Sequence, residues 1–470
     1  MSTIRLSLIR AFPVLLFLLL APTAASAQAA PTISISSPVP YQVIQRNDLG
    51  RADITVAGTY SGNASGIEAS WKGGPFVPLT VSADGTYAGV IPNQRQGQGP
   101  LTVRFADLSA EAKAGAVGIG DIFVIAGQSN AVGHGVEMMS YTSTDLKASL
   151  FGNDDKWKIL KDPTDDPTNQ IDAVSVNNGG GSVYPLIATY FLAKERVPIA
   201  FVPAAKGSTS IQQWQRDAAN PGNTATLYGS MHRRINAVGG KVKAVLFWHG
   251  ESGINSNMTR EMYASRLDAI VDGIYEDFGT VTVVAQVGDY NISLPDLNFD
   301  RTRLAQEDVW SGNAHARQGP LLYDIALADM VHFTQTTELE IAAKRWWAAL
   351  CANFYGCADG FGPVATSVEY NKARNGLRVT FSDATLPLLP TRDIGGFTVK
   401  NDGIEVPIVR VTRVLDNELS IALQSAATGI ISVSFATGRS GNGVNVPTDS
   451  SAYKLPAHPF FDWVATPYTP

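Results

Sequence analysis

The sequence predicts an α/β fold with a parallel sheet, set between two regions of short β segments. Three observations carry that reading. Between residues 119 and 358, apolar runs of strand length alternate with helical segments, the pattern of a parallel sheet covered on both faces. Residues 31–118 show short alternating segments broken by Gly, Pro, Asn and Asp, which reads as a small β-sandwich. Residues 360–470 return to β patterning, and a second sandwich is expected there. The 470 residues allow about three domains. A hydrophobic content of 45% with 17% charge is that of an ordinary globular protein.

The chain opens on a different kind of segment. Arg5 and Arg10 precede the apolar run Val14–Leu20, and Ala25-Ser26-Ala27 follows. Residues 1–27 therefore read as a signal peptide cleaved after Ala27, leaving 443 of the 470 residues. The apolar run is too short to span a bilayer, and no Cys follows the cleavage point to take a lipid anchor. A secreted or periplasmic protein is expected, with no membrane insertion. Without Arg5 and Arg10, 34 basic residues face 42 acidic ones, a net charge of −8. A mildly acidic chain has no electrostatic reason to bind nucleic acid or an anionic membrane. Cys351 and Cys357 are the two cysteines. Export makes a local disulfide between them plausible. No Cys/His cluster of zinc-like spacing is present, so no metal site is expected.

Along the N-terminal β region the strands are "TISI", "ADITVAG", "IEASW", "TYAGVI" and "LTVRF". The middle region starts with the strand "DIFVIA". "PLIATYFLAKER" is helical, with Leu186, Ile187, Tyr190 and Phe191 at helical spacing. "VPIAFVPA" is a strand, and "LYGSMHRRINAVGG" is a helix ending at a Gly pair. "KAVLFW" is the next strand. The following helix starts at Thr259 as N-cap and stops at Gly279. "VTVVAQV" is a strand, "RTRLAQEDVW" a helix, "PLLYDIAL" a strand and "ELEIAAKRWWAALCANFY" a long helix. The C-terminal strands are "LRVTF", "GFTVK", "ELSIALQ" and "ISVSFA", before a Pro-rich tail.

Parallel sheets bind ligands beyond the carboxyl ends of their strands. The polar residues that follow the strands of the middle region are thus the candidates. Gly127, Gln128, Ser129 and Asn130 follow the first. Lys206, Gly207 and Ser208 follow the second, and His249, Gly250 and Glu251 the third. Asp329 and His332 follow "PLLYDIAL". Taken alone, Ser129 reads more readily as an N-cap or turn serine. The convergence of all these residues on one end of the sheet favours a nucleophile instead. A serine hydroxyl needs a base to take its proton. Asp329 and His332, three apart, let one short loop supply the base and the carboxylate that orients it. Gly207 can bring a backbone N–H close to a reacting group. His249 reads either as a satisfied buried residue or as an oxyanion donor or substrate contact, with Glu251 behind it. His134, five residues after Ser129, is placed to line the cleft. His232, His315 and His458 are weaker candidates, on a helix, in a loop and in the tail.

The blocks "IGDIFVIAGQSN", "FWHGES" and "ADMVHFT" resemble those of secreted SGNH hydrolases, particularly the sialate O-acetylesterases and carbohydrate esterase family six. "YQVIQRND" and "ADGTYAGVIPNQRQGQGPLTV" look like the family's N-terminal β domain. "RLAQ", Arg303–Gln306, resembles its Arg-x-x-Gln helix, and "LPAHPF", Leu455–Phe460, its C-terminal ending. The resemblance implies a flavodoxin-like SGNH hydrolase core at residues 119–358 between two β-sandwich domains. It implies a serine ester hydrolase, with Ser129 as nucleophile, His332 as base and Asp329 as its orienter. The oxyanion hole would comprise the N–H groups of Ser129 and Gly207 and the side chain at position 249. Gln128, Asn130 and Glu251 would support the site or bind substrate. The family's third block usually reads Gln-Gly-Glu, and here His249 stands in place of that Gln. No metal or organic cofactor is required, and the partner is an acetylated carbohydrate. Acetyl transfer between sugars, or glycan binding on a silent core, are the alternative functions. The sequence leaves the glycan and the oligomeric state open.

Overall fold

A computed structural model of the chain describes residues 1–3, 30–63, 66–256, 258–289, 294–382 and 385–468. The expected signal peptide's basic and apolar parts and its cleavage point lie within residues 4–29, outside the described residues. The architecture is mixed α/β. Its central element is β1 (Glu111–Gly127), a strand of 17 residues. Four parallel strands complete the sheet around it: β2 (Ile199–Pro203), β3 (Ala244–Trp248), β4 (Val281–Val284) and β5 (Ala316–Gln318). Their spatial order is β2-β1-β3-β4-β5, the order of flavodoxin-type doubly wound sheets. A short antiparallel pair, Ser149–Phe151 and Trp157–Ile159, extends the β2 edge.

The apolar strands are buried on both faces because helices cover both. Along β1, Phe123 and Ile125 enter one core with Ile187 and Phe191 of α2 (Tyr184–Glu195) and Trp346 and Leu350 of α7 (Thr336–Phe354). The alternate residues Ile122, Val124 and Ala126 enter the other. There they meet Tyr228 and Ile235 of α3 (Leu227–Ala237) and Leu267 and Val271 of α5 (Arg260–Phe278). Ala305 and Val309 of α6 (Asp296–Gly312) join the same core. This two-residue alternation follows from the strand's geometry. Each large side chain so buried stabilises the fold by about 1.5–3 kcal/mol. As expected, Thr259 caps α5 through its hydroxyl, and Gly279 ends that helix in a left-handed conformation.

The first half of β1 belongs to the N-terminal β region. There Ala114, Val117 and Ile119 pack with Ile54, Val56, Tyr87, Leu101 and Phe105. The strand runs through residues 118 and 119 without a break. Near the C-terminus, a five-stranded and a four-stranded sheet enclose one core containing Val379, Phe381, Ile421, Val433 and Phe435. Cys351 and Cys357 are joined in a disulfide at the end of α7.

One strand expectation is corrected. "PLLYDIAL", residues 320–327, is irregular, and the fifth strand is the preceding Ala316–Gln318. The segment lies between two cores: Leu322 and Ile325 join that of the parallel sheet, and Leu321 and Tyr323 that of the C-terminal β region. Its apolar residues therefore report burial between layers. Its backbone is held piecemeal, with Pro320 O accepting from Gln286 N, Leu321 O from Arg345 and Asp324 O from Gly443 N, rather than by a run of strand pairing.

Candidate active site

The site forms where β1, β2 and β3 end. β1 stops at Gly127, which has φ +121° and passes the Trp248 carbonyl so closely that a Cβ would lie 2.0 Å from it. Only glycine fits there. Gln128 N donates to the same carbonyl at 3.0 Å. The chain then enters α1 (Ser129–Val132), a single turn whose first residue is Ser129. An N–H at that position has no intrahelical acceptor. Ser129 is 8% exposed.

The loop between β5 and α7 carries the partner residues. His332 Nε2 lies 3.0 Å from Ser129 Oγ, and His332 Nδ1 lies 2.9 Å from Asp329 Oδ2. A carboxylate only accepts, so the proton sits on Nδ1 and the Nε2 lone pair faces the serine hydroxyl. That is the tautomer a general base needs. Burial would raise the Asp329 carboxyl. Hydrogen bonds from His332 and Met330 N–H nonetheless hold it below the ordinary carboxylate range.

Two buried polar groups fix this loop. Glu338 accepts from Ala328 N at 2.7 Å through one oxygen, and from Thr334 N and Gln335 N at 2.8 and 2.9 Å through the other. It thus ties together both ends of the segment bearing Asp329 and His332. Asn130 grips the middle: its Nδ2 donates to Val331 O at 3.0 Å, and its Oδ1 accepts from Phe333 N at 3.2 Å. Asn130 also donates to Glu251 Oε1 at 2.6 Å. Glu251 opens α4 (Glu251–Asn255) and is buried, which raises its carboxyl above the ordinary range despite the Asn130 hydrogen bond. Gln128 reaches the same turn, its Oε1 accepting from Gly250 N at 3.3 Å and Ser252 Oγ at 3.2 Å. Gln128, Asn130 and Glu251 therefore brace the loops around Ser129.

The expected oxyanion donor at position 249 is corrected. His249 has no exposed surface and both ring nitrogens are engaged inside the fold. Nε2 lies 3.1 Å from Thr209 O, and Nδ1 lies 2.9 Å from Tyr263 Oη. The carbonyl can only accept, so Nε2 carries the proton and Tyr263 donates to Nδ1. Burial, partly offset by the Thr209 hydrogen bond, lowers the imidazole pKa to about 4. The ring is a neutral brace for the loop carrying Gly207, with no donor left for a substrate. Gly207 itself stands beside Ser129: a Cβ on it would lie 3.8 Å from Ser129 Cβ. Its N–H, however, already donates to Asn177 Oδ1 at 3.0 Å.

Asn177 was not singled out in the sequence. Its Nδ2 donates to Ala205 O and Ser175 O at 2.8 Å and to Asp165 Oδ2 at 3.2 Å. It lies in "SVNNGGGS", a run that reads as plain loop. Glu338 was missed too, although Gln335 and Glu338 form a capping box, a pattern visible as Gln-x-x-Glu before an apolar helix. Of the remaining histidines, His134 stacks on His332. His232 packs on Phe278 and His315 on Tyr275, and His458 is half-buried at 3.2 Å from Gln318.

The α/β core that carries this site is similar to known proteins. Residues 119–347 match the family described as carbohydrate esterase, sialic acid-specific acetylesterase. A probable carbohydrate esterase of Arabidopsis thaliana is 26% identical over 264 residues, covering 50% of this chain and 91% of that protein. A carbohydrate acetylesterase from Xanthomonas citri shares the fold with a TM-score of 0.59 at 18% identity, over 90% of this chain and 97% of its own. The class these matches define is the carbohydrate esterases. Among them, the sialic acid-specific acetylesterases are what residues 119–347 of this chain are similar to.

Proposed function

We propose that the chain is a secreted or periplasmic serine esterase that hydrolyses O-acetyl groups on sialic acid or a polysaccharide, built on an SGNH-type core between two β-sandwich domains. One observation carries this reading: Ser129 Oγ, His332 and Asp329 form a continuous hydrogen-bonded chain at 3.0 and 2.9 Å. The esterase family of the core supplies the reaction class. The basic, apolar and small-residue segments of residues 1–27 support export.

Ser129 Oγ attacks the acetyl carbonyl carbon while its proton passes to His332 Nε2. Asp329 holds the resulting imidazolium. The negative charge on the carbonyl oxygen meets the Ser129 N–H at the start of α1 and the Gly207 N–H. The latter requires the substrate oxygen to take the place of Asn177 Oδ1. One such donor lowers the barrier by about 2.7–4 kcal/mol. The C–O bond to the sugar then breaks, and His332 returns its proton to the departing sugar oxygen. Water, deprotonated by His332, cleaves the acetyl-enzyme and releases acetate.

The test is acetate release from a panel of acetylated glycans by the wild type and by Ser129→Ala. Release by the wild type from at least one glycan, and only background release by the variant, is expected. Undiminished release by Ser129→Ala overturns the assignment.

A further inference from the structure

His134 lies on the loop that leaves α1, and its ring is stacked on that of His332 with centroids 4.2 Å apart and planes inclined by 19°. The contact is built from both sides. Gly133, at φ +98°, turns the chain out of α1. Gly135 then exchanges two backbone hydrogen bonds with Gly181, both at 2.9 Å, and Gly133 O accepts from Gly180 N at 2.8 Å. On the other side Val136 N donates to Thr334 O at 2.9 Å, two residues beyond each ring. Asn130 clamps Val331 and Phe333 on either side of His332. The backbones that carry the two rings are therefore tied to each other, and the stack is fixed by that framework.

We propose that His134 is a positioning residue whose neutral imidazole face holds the His332 ring in plane and stabilises the imidazolium it becomes when Ser129 gives up its proton. This inference rests on the reading of Ser129 and His332 as nucleophile and base. A ring face is attractive to a cation placed over it, and a ring held on one face cannot turn away from Ser129. The arrangement works only while His134 is uncharged. Burial, and next the nearby His332, keep its pKa below the ordinary imidazole value against the pull of Asp329. A proton on His134 would put a second positive charge against the position where the His332 cation must form.

The other charged groups around the pair are few. Asp329 lies on the His332 loop, and buried Glu251 feels the His332 charge from α4. Glu137 is exposed on the His134 loop itself. Asp162 accepts from Met139 N at 2.9 Å and Ser182 N at 2.8 Å. It thereby supports the two segments packed around His134, and burial pushes its carboxyl up to about 6.

The experiment compares wild type, His134→Ala and His134→Phe on an aryl acetate across acidic to neutral pH, with thermal melts to establish folding and Ser129→Ala in parallel. His134→Ala should lose about five- to tenfold in kcat with little change in KM. His134→Phe, which keeps a ring face, should recover most of that loss. The acidic limb of kcat/KM should carry two protons in the wild type and one in His134→Phe. The inference is overturned if the alanine variant matches the wild type. It is also overturned if the phenylalanine variant is as impaired as the alanine variant, or keeps the two-proton limb. An inactive Ser129→Ala beside unaffected His134 variants sinks this inference alone. An active Ser129→Ala sinks the catalytic reading beneath it.

Discussion

His332 and His249 both lie beyond the carboxyl end of the central sheet, yet their surroundings give them opposite characters. His249 follows β3 directly and has no exposed surface. Its ring stacks beside Phe247, and its nitrogens are taken by Thr209 O and Tyr263 Oη. His332 rides on a loop with a quarter of its side chain exposed. Its nitrogens face a carboxylate and a serine hydroxyl. The same imidazole is a fixed strut in one place and, in the proposed mechanism, the proton acceptor in the other. The difference lies in the partners and their setting: a carbonyl and a phenol hold the fully buried ring of His249, whereas the hydroxyl facing His332 belongs to a serine at the mouth of the sheet, placed to pass its proton to the ring.

The sharpest way to break that contrast is to remove each ring. His332→Ala should lower kcat by at least about 10³-fold with the melting temperature nearly unchanged. His249→Gln, whose amide can still reach the Thr209 carbonyl, should lower it by less than about tenfold. Equal losses in steady-state esterase assays would abolish the distinction. Asp329→Asn should cost about 10²–10⁴-fold in kcat by presenting the wrong His332 tautomer to Ser129. A loss no larger than that of His249→Gln would remove Asp329 from the catalytic side of the comparison.

A smaller effect is expected where the two regions are joined. Asn130 binds both the His332 loop and buried Glu251. Asn130→Ala leaves that carboxyl without its donor, and should destabilise the fold by about 2–4 kcal/mol in chemical denaturation. The effect of acid is smaller again per group. His249 binds a proton near pH 4 when folded against an ordinary value of 6.5, so below 6.5 the unfolded chain holds more protons than the folded one. The stability is present in full above about pH 6.5 and declines as pH falls toward 4, by at most about 3 kcal/mol. His458, also lowered to about 4 by burial, acts in the same window. Denaturation midpoints measured from pH 7 to 4 should therefore fall less steeply in His249→Gln than in the wild type, and an unchanged slope would show that His249 does not contribute.

Much of this arrangement could be read from the residues. The apolar strand runs and the placement of polar residues after them follow from local pattern. So does the proximity of Asp329 and His332, which needs only a short loop. Three features did not follow. "PLLYDIAL" has the composition of a strand because it is buried between two cores, and composition reports burial without reporting a pairing partner. The character of His249 depends on Thr209 and Tyr263, which lie 40 residues before it and 14 after it. The Asn177 amide reaches Gly207 across 30 residues of chain. Each is a long-range contact to which no spacing in the sequence points.

The continuous strand Glu111–Gly127 bears on how such a chain could be assembled or taken apart. One half is a wall of the N-terminal β region and the other ends at the turn presenting Ser129. A module that can be exchanged between proteins needs a seam that few contacts cross, and here the seam would cut a strand in its middle. Severing the chain at residue 118 would leave residues 111–117 paired in the β region and residues 121–127 paired in the parallel sheet, but would break the strand that joins the two. The wall of the N-terminal β region and the turn that presents Ser129 are thus opposite ends of one strand, with no linker between them.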